Sequence, residues 1–600
     1  MSSQDALDEH NEWFRLAAAF VRDTHENLFL TGRAGTGKTT FLKYIKDNSN
    51  KNAAVVAPTG VAAINAGGET IHSFLQLPLS PFIPASAGWM GATGAHLQDK
   101  HSLLSELRHN ETKLKLLRKL ELLIIDEVSM VRCDLMDEID LVLRHVRKNW
   151  EMPFGGVQLL LIGDLFQLPP VATDTDWEIL RKYYTGPYFF DSVVMRNHPP
   201  LILELKKIYR QKERVFIDIL NRIRKGEATG ADLELLNRRV AQASGNEDRS
   251  IVLCTHNRIA DQINQESLEK LPGRLYSFEG VINNEFNPKN LPADEVLRLK
   301  KGAQVMFLRN DLQTPRRYFN GKIGIVERID VEGIWVSFSG EDAGPLLVAQ
   351  ETWRNVRYVL NRQLDEIEEE ESGSFTQYPI RLAWAITVHK SQGLTLERAV
   401  VDLSQSFAPG QVYVALSRCT SLEGLSLRSR LSMENVIVDQ RVVAFSQTEP
   451  EPTELEQILD RCRQYALVRK ICFVFSFGDL QDQLHKTLEP ILKRKTGPKE
   501  KNAQLYAALT EALAQSEKHA ASFRVQIHQL DQAGDLGKLH ERKRAAAGYY
   551  TDKVFAVHIR EIEEHISTLG NLTKVAKQVK TWKEVKLLLQ NKMAEIARFR

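Results

Sequence analysis

The sequence predicts an α/β protein with two successive parallel-sheet domains, followed by a helical C-terminal region. Over residues 27–200, short apolar runs that end in polar or turn residues alternate with helical patterns, as in buried parallel strands. A second set of this kind begins near residue 201, with its clearest strands at 250–256 and 399–403. Beyond Pro450, glycines become rare and the apolar residues take helical spacing. These observations together indicate two α/β domains and a helical one.

Changes in composition set the expected domain boundaries. A segment rich in proline and glycine interrupts the first α/β pattern, and short glycine-split strands interrupt the second. The acidic run at 365–371 within the second interruption is predicted to be a solvated loop. We therefore expect a first domain at 1–200 with an irregular insertion at 78–104, a second domain at 201–448 with a small β insertion at 313–377, and a helical domain at 449–600.

The segment "GRAGTGKT" joins the first apolar run to the first helix. It fits G-x-x-x-x-G-K-[ST], in which glycines let successive backbone N–H groups surround phosphate oxygens at a helix N-terminus. We expect Lys38 to reach the β- and γ-phosphates and the Thr39 hydroxyl to ligate magnesium. The predicted nucleotide-binding residues are Gly32, Gly35, Thr36, Gly37, Lys38, Thr39 and Thr40.

Composition excludes several classes of protein. Apolar content of 43% and charged content of 26% are typical of a globular chain. No stretch approaches the roughly 18 apolar residues of a membrane span, and the N-terminus lacks the apolar run of a signal peptide. The five scattered cysteines form no C-x-x-C pair, which argues against a zinc site or a disulfide framework. We expect a cytoplasmic protein, associated with the nucleoid if it is bacterial, and no membrane partner.

Charge is distributed unevenly along the chain. The formal net charge is +2, but residues 451–600 contain 26 Lys+Arg against 19 Asp+Glu, a net of +7. Residues 1–450 contain 53 against 58, a net of −5. The whole-chain charge therefore says little about nucleic acid, and the basic C-terminal region says slightly more.

Two further strands end in residues suited to nucleotide hydrolysis. In "LLIIDEVSM", Asp126 is expected to hold magnesium and Glu127 to polarise the attacking water. In "LLIGDLFQLPPV", Gln167 is expected to bond the γ-phosphate and to report its loss. Arg210 in "IYRQ" and Arg418 in "VYVALSRCT" are candidates for the positive charge that stabilises the transition state.

Seven segments in order resemble the motifs of superfamily 1 DNA helicases of the Pif/RecD type. They are the phosphate loop, "APTGVAAINAGGETIHSF", "LLIIDEVSM", "GDLFQLPPV", "YRQ", "TVHKSQGLTLERAVVDL" and "GQVYVALSR". The segment "VSMVRCDLMDEIDLVLRHVR" resembles the Pif signature in particular. The resemblance covers residues from about 25 to 430. It implies two RecA-like domains that flank one ATP, a wedge insertion in the first domain and a β-barrel insertion in the second.

The same resemblance implies the activity and the partners. These are ATP- and magnesium-dependent translocation on single-stranded DNA in the 5′-to-3′ direction, and unwinding of forked duplex DNA in repair, replication or recombination. Matching residue by residue, it gives a DNA-contacting set on each domain: Thr59 and His72 on the first, and Thr387, His389, Lys390 and Ser391 on the second. In the wedge-like insertion, Phe82 and Trp89 are candidates either for stacking on a base or for buried packing.

Two departures from the family pattern leave questions open. The upstream glutamine that reads adenine in the family is absent at its spacing, because Gln4 lies too far away; Asn11 is a candidate substitute. Residues 450–600 contain no recognisable motif of the family. They are interpreted as a packing or oligomerisation domain, a DNA-binding accessory domain, or a module that recruits a protein partner or inhibits the motor.

Two alternative functions are compatible with part of the motif set. A DNA-stimulated ATPase switch would use the same motor to remodel a partner through the C-terminal domain, without processive unwinding. A nucleotide kinase or another small-molecule P-loop enzyme would account for the phosphate loop and the acidic pair, but not for "TVHKSQG" or "VALSR".

Overall fold

A computed structural model describes most of the chain and divides it into two compact units, Met1–Leu455 and Glu456–Arg600. The described residues are 11–84, 97–106, 111–207, 213–240, 250–288, 291–311, 317–338, 344–361, 366–403, 408–493, 498–570 and 575–600. Within these ranges, no helix has the length and apolar character needed to cross a membrane.

The first domain of the larger unit is a six-stranded parallel sheet with helices around it. Its strand order is β3-β2-β4-β5-β1-β6. The strands are β1 (Leu28–Gly32), β2 (Ala53–Ala57), β3 (Glu69–Thr70), β4 (Leu122–Ile125), β5 (Gln158–Ile162) and β6 (Leu201–Leu205). The helices are α1 (Glu12–Asp23), α2 (Lys38–Asn48), α3 (Gly60–Ala66), α4 (Ile71–Leu75), α5 (Lys100–Glu106), α6 (Glu111–Lys119), α7 (Cys133–Arg147), α8 (Asp174–Leu180) and α9 (Val193–Asn197).

The second domain contains a four-stranded parallel sheet, in the order β18-β7-β19-β20. Its strands are β7 (Ile251–Cys254), β18 (Ala385–Thr387), β19 (Ala399–Val401) and β20 (Leu425–Leu427). Its helices are α10 (Arg214–Lys225), α11 (Gly230–Asn237), α12 (Asn257–Lys270), α13 (Gln411–Ser417) and α14 (Gln440–Ser446). Two parallel sheets of this kind match the predicted fold class. β6 pairs with β1, so the first sheet extends to Leu205, five residues past the predicted boundary.

The β insertion of the second domain is longer than the predicted 313–377 and extends from Tyr276 to Leu382. It contains β8 (Tyr276–Glu279), β9 (Val281–Asn284), β10 (Val296–Leu299), β11 (Gln304–Phe307), β12 (Ile323–Asp330), β13 (Gly333–Ser337), β14 (Leu346–Val348), β15 (Glu351–Asn361), β16 (Glu366–Gln377) and β17 (Ile380–Leu382). Five of these strands form one sheet, β14-β13-β12-β11-β17, and β15-β16-β9 form another.

The prediction that the acidic run is a loop is wrong from Glu366 onward, because these residues begin β16, although the glutamates are exposed to solvent as predicted. The glutamates have partners that a loop would not give them. Glu370 and Glu371 pair with arginines on the facing strand β15, and Glu369 pairs with Lys46 of the first domain at 2.7 Å. Asp365 lies outside the described residues. Cross-strand ion pairs therefore allow a strand with several consecutive carboxylates.

The β15–β16 hairpin also bonds the edge of the first sheet. The Val55 N–H donates to the Tyr358 hydroxyl at 2.9 Å, and the Tyr358 N–H donates to Glu69 Oε1 at 2.7 Å. Elsewhere in the larger unit, Phe445 of α14 stacks on Phe190 with ring centroids 4.4 Å apart. Contacts far apart in sequence thus join the two α/β domains at more than one place.

The C-terminal unit is helical, as predicted, with its own apolar core around Phe475, Phe477 and Trp582. The helices are α15 (Pro452–Val474), α16 (Gly478–Leu492), α17 (Lys499–Gln532), α18 (Leu536–Tyr549), α19 (Ala556–Gly570) and α20 (Ala576–Ala597). A π-helical turn, Tyr550–Phe555, joins α18 to α19.

Candidate active site

The phosphate loop lies between β1 and α2, where the sequence predicts it. All five residues of β1 are buried, and Phe41, Leu42 and Ile45 hold α2 against the core. Gly35 and Gly37 have φ angles of 82° and 93°, a left-handed conformation that glycine adopts without steric cost. Thr39 and Thr40 are exposed at the start of α2, and the Thr36 hydroxyl donates to the Arg33 carbonyl at 3.0 Å. The loop has the backbone form that a phosphate site needs.

Lys38 is held by the loop in which it lies. Its Nζ donates to the carbonyls of Gly32 at 2.7 Å and Arg33 at 3.1 Å. Burial acts to raise the pKa values of three carboxyl groups at neighbouring strand ends, Asp126, Glu127 and Asp164, and the charge of Lys38 opposes this effect at each of them. The side chain thus lies near the acids with which it would share a nucleotide.

Asp126 and Glu127 form a crowded acidic pair after β4. Burial and the charge of Glu127 raise the pKa of Asp126 to about 7, although Lys38 opposes the shift. Burial also raises the pKa of Glu127, against the positive charges of Lys38 and Arg418. Two carboxyl groups that resist ionising together favour a divalent cation. Asp126 and the exposed Thr39 hydroxyl are therefore suitable magnesium ligands, with nucleotide oxygens and water to complete the shell.

Glu127 also has an unusual backbone. Its φ of 50° and ψ of 44° are left-handed, a conformation that costs a non-glycine residue on the order of 1–3 kcal/mol. Strain of this size persists where the surroundings fix the residue, and it occurs preferentially at active sites. The conformation supports the role in water activation that the sequence predicts for Glu127.

Asp164 accepts hydrogen bonds from several side chains, a cluster that the sequence did not predict and that we call the Asp164 node. It is fully buried and accepts from Arg224 Nη2 at 3.1 Å, Gln167 Nε2 at 3.3 Å and the Tyr413 hydroxyl at 3.4 Å. Burial alone would raise its pKa, but the charges of Arg224 and Lys38 outweigh this and lower it. Gln167 is therefore fixed beside the nucleotide loop through a carboxylate. Its contact with a γ-phosphate stays a prediction.

Tyr413 connects this node to the phosphate loop. Its hydroxyl accepts from the Ala34 N–H at 3.4 Å while it donates to Asp164. Tyr413 belongs to α13 of the second domain, whereas Ala34 and Asp164 belong to the first. One side chain thus bonds two nucleotide-binding segments across the domain cleft.

Arg418 directly follows the last residue of α13 and is almost completely buried, at 2% exposure. Its Nε donates to the Val414 carbonyl and its Nη2 to the Ser417 hydroxyl, each at 3.1 Å. Burial lowers the pKa of Arg418, although Tyr413, Glu127 and Asp164 oppose the shift. The second predicted arginine, Arg210, lies outside the described residues. Of the two candidates, Arg418 is therefore the one whose position beside Glu127 can be described.

Arg224 is a functional candidate that sequence reasoning missed. It pairs with Asp164 and with Glu204 at 2.9 Å, and its guanidinium lies 4.3 Å from the Phe166 ring centroid. One signal was available, because Arg224 follows Leu220 by four residues and so falls on the apolar face of α10. A charged residue on such a face indicates a buried ion pair.

Replacing Arg224 with methionine should destabilise the protein by about 3–5 kcal/mol, because Asp164 would stay buried without its cation. Arg222→Met is the matched control on the same helix. The Arg222 side chain is 39% exposed, and its partner Asp232 also accepts from the N–H and the hydroxyl of Thr229, so losing this pair should cost only about 0–1 kcal/mol. Urea unfolding of both variants measures the difference. Equal losses would contradict a special role for the Arg224–Asp164 pair.

Gly410 allows close contact between the domains. It has a φ of 78° at the start of α13, and a Cβ there would lie 2.4 Å from the Gln167 carbonyl oxygen and 2.6 Å from that of Phe166. Gly410→Ala should cost about 1–3 kcal/mol and weaken ATP hydrolysis, because the loop that carries Gln167 must move. Thermal unfolding and ATPase assays measure both effects.

Gly273→Ala provides the control for the Gly410 substitution. Gly273 has a φ of 94°, but a Cβ there would meet nothing within 4 Å. The Gly273→Ala variant should lose only the stability that a positive φ costs alanine, without a steric clash, and its ATPase activity should not change. A Gly410 variant no worse than this control would contradict the close approach.

The predicted DNA contacts on the first domain lie at two helix starts. Thr59 caps α3 by accepting from the Ala62 N–H at 3.2 Å. His72 is half-buried on α4, and burial lowers its pKa, with Arg132 assisting and Asp134 opposing. A neutral imidazole can stack or donate a hydrogen bond to a strand.

The second predicted set falls into two pairs. His389 and Lys390 are exposed. Thr387 and Ser391 are buried: the Thr387 hydroxyl accepts from the Lys390 N–H at 3.3 Å, and the Ser391 hydroxyl donates to the Val388 carbonyl at 2.7 Å. These two hydroxyls hold the turn that presents the exposed pair. Their direct contact with DNA stays a prediction.

Four other residues singled out from the sequence are accounted for as follows. Phe82 is buried at 3% exposure, its N–H donating to Asp134 Oδ2 at 3.1 Å, which matches buried packing rather than stacking. Trp89 and Gln4 lie outside the described residues. Asn11 is buried and caps α1 through the Phe14 N–H at 3.4 Å, so its carbonyl oxygen already has a structural partner.

Comparison with known proteins identifies the family. A family model described as PIF1-like helicase matches residues 8–88 and 89–233. The ATP-dependent DNA helicase Pif1 of Bdellovibrio bacteriovorus is 32% identical over 428 residues, which cover 70% of this chain and 88% of that one. The chain belongs to the PIF1-like helicase family.

Other members of this PIF1-like family extend the comparison. The mouse ATP-dependent DNA helicase PIF1 is 34% identical over 70% of this chain, and the match spans only 60% of the mouse protein. Bacteroides Pif1 in complex with ADP-AlF4 superposes with a TM-score of 0.66 at 41% identity, over 73% of this chain and 96% of that one. The same protein with ADP-AlF3 and single-stranded DNA gives 0.50 at 41% identity and equal coverage. The predicted RecA-like fold is confirmed.

The C-terminal unit has a match of its own. Residues 457–600 fit a family model described as DNA helicase, middle domain. The sequence of this region contains no recognisable motif. The matching family model is described as a helicase domain, and its description names no ligand.

Proposed function

We propose that the protein is an ATP-dependent DNA helicase that moves along single-stranded DNA and unwinds forked duplex DNA in repair, replication or recombination. The observation that carries the proposal is the convergence of Tyr413 and Arg418 on the phosphate loop and acids of the other domain. Nucleotide between these groups would contact both domains. Its hydrolysis would therefore change how the cleft closes.

Each part of the nucleotide site has a proposed role in hydrolysis. Lys38 and the loop N–H groups bind phosphate, Glu127 orients and polarises water, and Arg418 balances the developing charge. Magnesium, when bound by Thr39 and Asp126, supplies charge neutralisation for the phosphates. Bacteroides Pif1 in complex with ADP-AlF4 supports the use of a nucleotide here.

Single-stranded DNA is the proposed track. Thr59 and His72 on one domain, and His389 and Lys390 on the other, would grip phosphates without reading sequence. Alternate grip during cleft opening and closing would advance the strand. The Bacteroides Pif1 complex with single-stranded DNA supports this substrate. The 5′-to-3′ direction rests on family resemblance. A cytoplasmic location and a protein partner of the C-terminal unit rest on sequence interpretation alone.

Strand displacement on two forked substrates tests the proposal. One substrate has only a 5′ single-stranded overhang and the other only a 3′ overhang, each with ATP and magnesium. We expect separation of the 5′-tailed duplex and none of the 3′-tailed duplex. Preference for the 3′ tail would contradict the polarity.

ATPase activity measured in parallel separates the alternatives. Stimulation by single-stranded DNA without any unwinding would favour the switch that remodels a partner. No stimulation and no unwinding would refute the DNA motor itself.

A further inference from the structure

The outward face of α18 and the following π-helical turn carries a narrow strip of exposed residues. Its members are Lys538, Arg542, Ala545, Tyr549 and Lys553. Their spacing of four, three, four and four residues keeps them on one side of the helix. At about 1.5 Å per residue, the strip is about 22 Å long. We call it the α18 strip.

Positive charge accumulates along the α18 strip. Residues 538–553 contain five basic side chains, against Glu541 and Asp552; Lys538, Arg542 and Lys553 belong to the strip, and Lys543 and Arg544 lie beside it. Asp552 pairs with Arg600. Within the described part of the chain, none of the five basic side chains pairs with a carboxylate, and Arg542 donates instead to Gln526 Oε1 at 2.8 Å. The strip therefore keeps charge that an anionic partner could neutralise.

The basic side chains also affect one another. Partial burial and the neighbouring charge of Arg544 lower the pKa of Lys543. Its Nζ lies 5.5 Å from the ring centroid of Phe599, a buried residue of the C-terminal core. An anion bound here would relieve this repulsion.

Tyr549 adds an exposed aromatic ring at the centre of this charge. The side chain is 48% exposed and lies edge-on to Tyr550, with centroids 5.3 Å apart. Tyr550 is fixed in turn, because its hydroxyl donates to the Ser516 carbonyl at 3.1 Å. The Tyr549 ring thus packs against the fixed ring of Tyr550, while much of its surface is exposed to solvent.

The backbone next to Tyr549 is open as well. Gly548 lies inside α18, where glycine is less favourable than alanine, yet a Cβ there would meet nothing within 4 Å. No neighbour in the described fold requires glycine, so its small size leaves room for an external group. The π-helical turn that follows belongs to a class often found at functional sites.

We propose that the α18 strip is a second binding site for single-stranded DNA, outside the motor. Lys538, Arg542 and Lys553 would contact phosphates along one strand, and a base between Arg542 and Lys553 would stack on Tyr549. A row one helix wide fits one strand, and only an unpaired base can offer its face to the ring. The inference rests on the proposed function for the source of the strand. Its contacts are independent of ATP.

Binding of a 40-nucleotide strand to the full-length protein without nucleotide tests the proposal. Tyr549→Ala should weaken binding by roughly 5- to 150-fold, whereas Tyr549→Phe should bind like the parent because stacking needs no hydroxyl. Arg542→Ser with Lys553→Ser should reduce the slope of log affinity against log salt by about 1.4, for two lost phosphate contacts. Lys577→Ser with Lys580→Ser removes the same charge from the exposed side of α20 and should leave both values unchanged.

Crosslinking locates the contact directly. A strand containing 5-iodouracil, irradiated with the full-length protein, should give an adduct on Tyr549 that mass spectrometry can map. No adduct within 538–553, or unchanged affinity and salt slope in all strip variants, would overturn the proposal.

DNA-stimulated ATPase activity, measured on the same variants, separates this proposal from the motor assignment. It should persist at saturating DNA in every strip variant. If the parent protein binds no DNA and shows no stimulation, the proposed function fails. If the parent protein binds DNA and the strip variants bind it with the same affinity and salt slope, only the second site is refuted.

Discussion

Replacing Lys38 with alanine should reduce ATP hydrolysis by at least about 10²–10³-fold and abolish unwinding. The side chain would otherwise carry charge to the phosphates, and losing one electrostatic contact to the transition state has an effect of this order. The fold should survive, because Lys38 Nζ donates to the carbonyls of Gly32 and Arg33, which belong to its own loop. Steady-state phosphate release and circular dichroism measure both outcomes.

Lys43→Ala is the matched control for Lys38. It lies on the same helix, α2, and is exposed. Its activity should equal that of the parent. Normal turnover in the Lys38 variant would refute the nucleotide site.

Replacing Arg418 with methionine should lower kcat by about 10³–10⁵, the effect expected for an arginine that stabilises phosphoryl transfer. Stability should not fall with activity. Burial lowers the pKa of Arg418, so the folded state disfavours its charged form. Methionine has a similar length and no charge, so the substitution removes this desolvation cost. Single-turnover ATPase assays and thermal unfolding test the two effects separately.

Arg398→Met controls for the loss of a positive charge in the same domain, since Arg398 is exposed. It should leave kcat and Tm unchanged. A large fall in Tm for the Arg418 variant, with proportionate loss of activity, would mean that Arg418 supports the fold rather than the reaction.

Local patterns in the sequence were sufficient for much of the fold and the nucleotide loop. The strand, the glycines and the helix around Lys38 are consecutive, so a short segment contains all the information. The same holds for Asp126 and Glu127, which follow directly on a buried strand. The left-handed backbone of Glu127 was not predictable, because glutamate has no preference for it.

Contacts between side chains far apart in sequence could not be predicted, for a physical reason. The Asp164 node depends on Arg224, 60 residues away, and on Tyr413, 249 residues away. No local periodicity reports which buried charge meets which partner. The acidic strand β16 was misread similarly, since its stability depends on arginines of the facing strand and on Lys46 of another domain.

The resting partners of Lys38 have a consequence for the speed of the cycle. When phosphate leaves, the ammonium group can return to the Gly32 and Arg33 carbonyls rather than lose all its hydrogen bonds. The loop thereby competes with spent nucleotide for the same cation. That competition would lower the affinity for the product and shorten its residence time, so the carbonyls of the loop would favour nucleotide release after each turnover.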